Sequence, residues 1–129
     1  MRFCRMEIRC AASEDFSAIR ALIARFPEQL MQEHLPEPVE FFVAEEEGHI
    51  VGCCALEVYS QRLAEVRSLA VIEEYRGQGI ASQLVAACLT EARKRGIYEV
   101  LTITGTPPLF EKQGFDAFNQ VGYALLKVL

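Results

Sequence analysis

Residues 64–82 read AEVRSLAVIEEYRGQGIAS and hold the chemistry-bearing pattern of the chain. A run of strand formers ends near Val71, a polar loop follows, and Arg76-Gly77-Gln78-Gly79-Ile80-Ala81 opens an amphipathic segment. Two glycines let backbone approach a ligand with no Cβ in the way. The first turn of a helix presents unpaired N–H groups and the positive end of the dipole. Together these make an anion site suited to phosphate, and Arg76 adds a planar fork of donors. The Walker pattern fails here, because no Gly-Lys-Ser/Thr follows. The dinucleotide pattern G-x-G-x-x-G fails at its third glycine, where Ser82 stands. On spacing alone, a plain surface loop with a glycine-rich helix start is the other reading.

Two charged residues lie on the strand that feeds this loop. Period 2 places Glu65, Arg67 and Leu69 on one face and Val66, Ser68 and Ala70 on the other. Arg67 can hold a carboxylate bidentately; Glu65 and Arg67 can equally be an ion pair. The remaining reactive residues are sparse. The cysteines are Cys4, Cys10, Cys53, Cys54 and Cys88, with no C-x-x-C pair, and the histidines are His34 and His49 alone. This arithmetic supports neither a metal site nor a disulfide framework and predicts buried free thiols.

The elements around the pattern follow from periodicity. Met6–Cys10 reads as a strand. Ser13 is the expected N-cap of a helix with Glu14 and Asp15 in its first turn and Phe16, Ile19, Leu22, Ile23 and Phe26 on its apolar face, limited by Pro27. Residues 28–38 read as a short helix and then a loop. Val39–Ala44 and His49–Val58 form a hairpin, and Leu63–Val71 is a third strand of an antiparallel meander. The helix from about Gly79 to Arg95 buries Ile80, Leu84, Val85, Cys88, Leu89 and Ala92, and Gly96 ends it. Tyr98–Thr104 is the next strand, reached by a right-handed crossover. Leu109–Gln113 is a short helix, and Phe115–Gln120 and Tyr123–Leu129 are closing strands. The fold class is α+β in three layers, a mixed sheet with one parallel crossover rather than a doubly wound sheet.

Composition sets the outer limits. The chain has 129 residues, 51% of them apolar, enough for one folded domain over residues 1–129. Its 13 basic and 18 acidic residues give a net charge of −5, which argues against a nucleic-acid partner. No apolar run reaches the roughly 18 residues of a membrane span, and MRFCRMEIRC has no signal-peptide core. The expected location is the cytoplasm.

The strand, loop and helix at 64–82 resemble the acyl-CoA signature of the GNAT superfamily of N-acetyltransferases, [Arg/Gln]-x-x-Gly-x-[Gly/Ala], with Arg76, Gly79 and Ala81 at its fixed positions. Leu109–Phe115, LFEKQGF, resembles the short helix and Gly-Phe turn of that family, and HIVGCCAL resembles its second strand. AEVRSLAV with YRGQGIASQL is most similar to the acetyltransferase domain of N-acetylglutamate synthases. The resemblance implies a mostly antiparallel sheet of six to seven strands with splayed central strands and about four helices. It implies acetyl-CoA as co-substrate, with no metal. Leu69, Ala70 and Val71 would pair with pantetheine, Arg76, Gly77, Gln78, Gly79, Ile80, Ala81 and Ser82 would hold the pyrophosphate, and Phe110 would pack on the pantetheine or the core. Glu65 stands where the family's carboxylate bases often lie, Arg67 is a candidate for a substrate carboxylate, and the N–H of Ala70 or Val71 for the oxyanion. Many relatives carry a tyrosine acid where this chain has Phe110. The implied function is acetyl transfer to a small primary amine, with L-glutamate or another amino acid as candidate. Transfer to a protein or peptide, and a regulatory acetyl-CoA-binding module, are the alternatives. A homodimer, formed through the sheet or Tyr123–Leu129, is the expected partner state.

Overall fold

The computed structural model describes residues 6–117 and 124–129. Seven strands form one mixed sheet: β1 (Met6–Cys10), β2 (Phe41–Glu46), β3 (His49–Val58), β4 (Leu63–Val71), β5 (Glu99–Ile103), β6 (Asp116–Ala117) and β7 (Ala124–Val128). Their order is β1-β2-β3-β4-β5-β7-β6. All neighbours are antiparallel except β4 and β5, which are parallel as the crossover requires. Three α-helices are described: α1 (Phe16–Ile23), α2 (Ile80–Lys94) and α3 (Pro107–Glu111).

Each sheet face buries its own apolar cluster. Ile19, Leu22 and Ile23 of α1 pack on Phe41, Val43, Cys53, Ala55 and Ala70. On the other face Ile80, Leu84, Val85, Cys88, Leu89 and Ala92 of α2 pack on Leu56, Ala64, Val66 and Val100. That α2 stripe follows from the 3.6-residue period. The helix stops at Lys94, with Arg93 and Lys94 in its last turn, where the dipole favours cations.

The chain corrects several local expectations. Ser13 does not cap the first helix. Residues Ser13–Asp15 form a 3-10 turn whose cap position is Ala12, and the Ala12 amide donates to Asp15 Oδ2 at 2.7 Å. Asp15 also receives two donors of Arg9, at 2.7 and 3.1 Å. The Asp15 carboxylate thus reaches back to the cap N–H, while the Ser13 hydroxyl donates to Glu14 Oε2 at 3.4 Å. Residues 28–38 form no helix. The Gln32 side-chain amide instead donates to the carbonyls of Ile23 at 3.0 Å and Leu30 at 3.0 Å and ties this segment down. Pro36 and Pro38, which lack N–H donors, suit an irregular path. Pro38–Glu40 is a 3-10 turn, so β2 begins at Phe41. Of the expected strand 115–120 the structure describes Asp116–Ala117, and 118–120 lie outside the described residues. Cys53, Cys54 and Cys88 are buried free thiols, whereas Cys10 is exposed; Cys4 lies outside the described residues. Burial pushes the Cys53 thiol up to about 12.

Candidate functional site

The site starts where β4 and β5 part. They pair in parallel at Leu63–Glu99, Ala64–Val100 and Glu65–Leu101, and no pair follows. β4 continues to Val71, while β5, paired with β7 on its other edge throughout, keeps only that neighbour. At the apex, the Thr102 hydroxyl donates to the Val66 carbonyl at 2.9 Å, buried. The side chain supplies the bond that the missing ladder step withholds. Thr102, at 2% exposure, is the one buried polar residue among the described residues.

A bulge in β4 shapes the cleft wall. Ala55 faces Arg67 and Cys53 faces Ala70, so two steps of β3 match three of β4. Ser68 takes a φ of +58° there. This overturns the simple alternation beyond Arg67. Glu65 and Arg67 do share a face, but Ala70 returns to that side, under α1. Leu69 packs against the α2 cluster instead. The unpaired side of Leu69–Val71 therefore borders the cleft with a kinked backbone.

Three cavities form one channel from the parting to the start of α2. The first, about 380 Å³, is walled by Arg67, Ser68, Leu69, Thr102, Thr104 and Phe110, among others. The next, about 890 Å³, runs past Leu69, Ala70, Val71, Arg76, Ala81 and Leu109. The last, about 240 Å³, lies on Gly77, Gly79, Ile80, Ala81 and Ser82. Gly77 and Gly79 adopt φ of +81° and +80°, the left-handed region that L side chains avoid. Gly79 is the cap residue of α2, so the helix's first N–H groups open on this end of the channel. Arg76 Nε donates to the Val71 carbonyl at 3.3 Å, and its guanidinium lies over the Phe26 ring, 5.1 Å from the centroid. Its two terminal nitrogens remain to meet an anion. Gln78 is exposed and lines none of these three cavities. Ile80 sends its side chain into the core, which leaves its backbone to face the channel. Phe110 is buried edge-on against Phe115, with centroids 5.4 Å apart, and closes the apex. Gln113 donates to the Ser82 carbonyl at 2.9 Å and ties the end of α3 to α2.

On the α1 side, Glu57 of β3 stands directly opposite Glu65 of β4. Tyr59 donates its hydroxyl to Glu65 Oε1 at 2.5 Å. Partial desolvation of its hydroxyl and this carboxylate raise the Tyr59 phenol above its usual range, although the residue as a whole is exposed. Arg67 does not pair with Glu65. Its Nη1 meets Glu57 Oε1 at 2.6 Å, and its Nη2 meets the His34 carbonyl at 3.3 Å and Met31 Sδ at 3.5 Å. Sequence reasoning missed Glu57, Thr102 and Gln32. Counting residues outward from the β3–β4 turn would have found Glu57, since hairpin register pairs it with Glu65. Among the described residues, no three His, Cys, Asp or Glu side chains gather as a metal site, and no helix is long and apolar enough to cross a membrane.

Residues 6–115 match the model of the acetyltransferase (GNAT) family. An uncharacterized N-acetyltransferase of Chlorobaculum tepidum is 35% identical over 108 residues, covering 84% of this chain and 67% of that protein. An amino-acid acetyltransferase of Mycobacterium tuberculosis is 34% identical over 122 residues, covering 88% and 70%. Longer relatives exist. In the amino-acid acetyltransferase of Pseudomonas fluorescens Pf0-1, 33% identical, the match spans 27% of that protein. Among solved folds, N-acetylglutamate synthase of Neisseria gonorrhoeae, complexed with coenzyme A and N-acetyl-glutamate, superposes with a TM-score of 0.85 at 24% identity. The match covers 99% of this chain and 36% of that one.

Proposed function

Because the chain belongs to the acetyltransferase (GNAT) family, we propose that it moves an acetyl group from acetyl-CoA to the primary amine of an amino acid, both bound at once. The observation that carries this reading is the parting of β4 and β5 above Glu65, with the glycine-capped start of α2 at the far end of the same channel.

Acetyl-CoA lies along that channel. Its pantetheine amides pair with the unpaired side of Leu69, Ala70 and Val71, as an added strand would. Its pyrophosphate rests on the N–H groups of residues 77–82 with Arg76 alongside. The thioester reaches the apex beside Phe110 and Thr102.

The acceptor enters from the α1 side. Its ammonium loses a proton to the Glu65 carboxylate, directly or through one water. Tyr59 holds that carboxylate in place. The freed nitrogen lone pair attacks the thioester carbonyl carbon. A C–N bond forms, the carbonyl electrons move to oxygen, and a backbone N–H beside the Ser68 bulge, at Ala70 or Val71, steadies that charge. The C–S bond then breaks, and the nitrogen, cationic since its attack, gives up its second proton to water so that a neutral amide remains. A thiol pKa near ~8.5 lets CoA leave as the thiolate without an acid, so Phe110 in place of a tyrosine is compatible with turnover.

That relatives are named amino-acid acetyltransferase supports the acceptor class. The fold neighbour complexed with N-acetyl-glutamate places L-glutamate in the panel of acceptors to be tested. The proposal takes the chain as one catalytic domain, with a homodimer as its expected assembly. It is tested by following thiol release from acetyl-CoA with a panel of free amino acids and a panel of peptides. Release with at least one free amino acid supports it. Release with peptides alone moves the assignment to a protein acetyltransferase, and binding without any release moves it to a regulatory module.

A further inference from the structure

An arginine beside a catalytic carboxylate has an obvious use in binding an acidic acceptor, but in this fold Arg67 is engaged. Glu57 holds it at 2.6 Å, and the pair is largely shielded, with side-chain exposures of 17% for Arg67 and 28% for Glu57. The His34 carbonyl and Met31 take its other end. A substrate carboxylate would meet an arginine whose charge Glu57 already balances, and one that displaced Glu57 would leave it uncompensated opposite Glu65.

No other described cation replaces it. Arg62 pairs with Glu99 and lies over the Tyr98 ring. Arg25 and Arg76 line the channel towards the start of α2, where the anionic cofactor is proposed to lie. The segment from Pro27 to Pro38, whose Gln29 and Leu30 wall the apex cavity, contains Glu28, Glu33 and Glu37 and no Lys or Arg. Glu57 and Glu65 against Arg67 leave one negative charge on the floor of the acceptor side.

From this geometry we propose that Glu57 is a specificity-determining residue: by occupying Arg67 it turns the site away from acidic acceptors and towards amino acids with a cationic side chain. The inference rests on the transferase reading above and deepens it. The reacting amine meets Glu65. The second ammonium of a basic acceptor balances the charge that Glu57 and Glu65 leave, and an acidic side chain finds the arginine already taken. The chemistry of transfer is unchanged.

The test measures kcat/KM by thiol release for L-lysine, L-ornithine, L-glutamine and L-glutamate, with wild type, Glu57→Gln and Glu57→Asp. The expected wild-type result is a preference for the basic amino acids over L-glutamate of roughly ten-fold or more. Glu57→Gln frees Arg67 and should lower that ratio by a similar factor, while Glu57→Asp, which keeps the charge, retains its direction. Wild-type preference for L-glutamate, or a ratio that Glu57→Gln leaves unmoved, overturns the inference and leaves the transferase reading standing. Absence of thiol release with every amine overturns both. Because the wild-type ratio decides by itself, the test survives a variant that fails to fold.

Discussion

Thr102 donates its hydroxyl to the carbonyl of Val66 across the seam of β4 and β5, one step beyond their last parallel pair. The bond fixes where the sheet stops being a sheet. Without it the Val66 carbonyl would be buried with no partner, or the strands would close or open further. Thr102→Val keeps the shape and removes the donor. It should cost about 1–3 kcal/mol of stability, the penalty of an unsatisfied buried polar group, and raise the KM for acetyl-CoA more than it lowers kcat. Thr102→Ser should restore both, which a purely volumetric role would not allow. Urea unfolding beside steady-state kinetics checks this.

The glycine at the start of α2 makes a second prediction. A Cβ on Gly79 would meet nothing within 4 Å, so Gly79→Ala is limited by backbone conformation at a φ of +80°. The cost should be about 1–2 kcal/mol. A backbone that relaxes away from this φ would also displace the N–H groups proposed to hold the pyrophosphate. Thermal unfolding should show a modest loss, and acetyl-CoA binding should fall further than that loss explains.

Removing the proposed base should separate chemistry from cofactor binding. Glu65→Gln should reduce kcat by roughly 10²–10⁴-fold while acetyl-CoA still binds, since Glu65 lies on the α1 side of the sheet. Tyr59→Phe removes the donor that holds Glu65 and should give a smaller loss of kcat. A pH–rate profile of both variants beside wild type checks the assignment. An unchanged kcat in Glu65→Gln would remove Glu65 from the chemistry.

Acid sensitivity follows from Asp15. The Arg9 guanidinium, and then the Ala12 amide, hold its carboxyl down at about 2. An unfolded aspartate titrates near ~3.9. A group depressed on folding lends stability above its unfolded value and loses it as pH falls through the folded one. The contribution should be whole above about pH 4 and fade towards pH 2, with a size on the order of 2 kcal/mol. Urea midpoints of wild type and Asp15→Asn should differ at pH 7 and converge at low pH.

Much of this was legible in the residues, and the reasons differ by element. The buried stripe of α2, from Ile80 to Ala92, follows from a period long enough to be unambiguous. The glycine pattern at 76–81 marked the loop, because positive φ has few residue solutions. The meander and the single parallel crossover followed from strand order and loop length. The bulge was not legible, since nothing local marks Ser68 for a positive φ, and it sends Leu69 and Ala70 to the faces opposite to those that alternation gives. The partner of Arg67 could be read only across two strands, not from β4 alone. It depends on the β3–β4 register, which sets Glu57 rather than Glu65 within its reach. The path of residues 24–38 depends on one side chain, Gln32, answering several carbonyls, and no period encodes that.

Calorimetric titration decides whether the channel between β4 and the start of α2 binds acetyl-CoA. Wild-type protein should bind acetyl-CoA with one site per chain. Arg76→Glu should weaken that binding by about ten-fold or more, the worth of a charge-assisted contact turned repulsive. The affinity should also fall as salt is raised. No heat of binding at millimolar acetyl-CoA, or equal affinity in wild type and Arg76→Glu, would contradict the account.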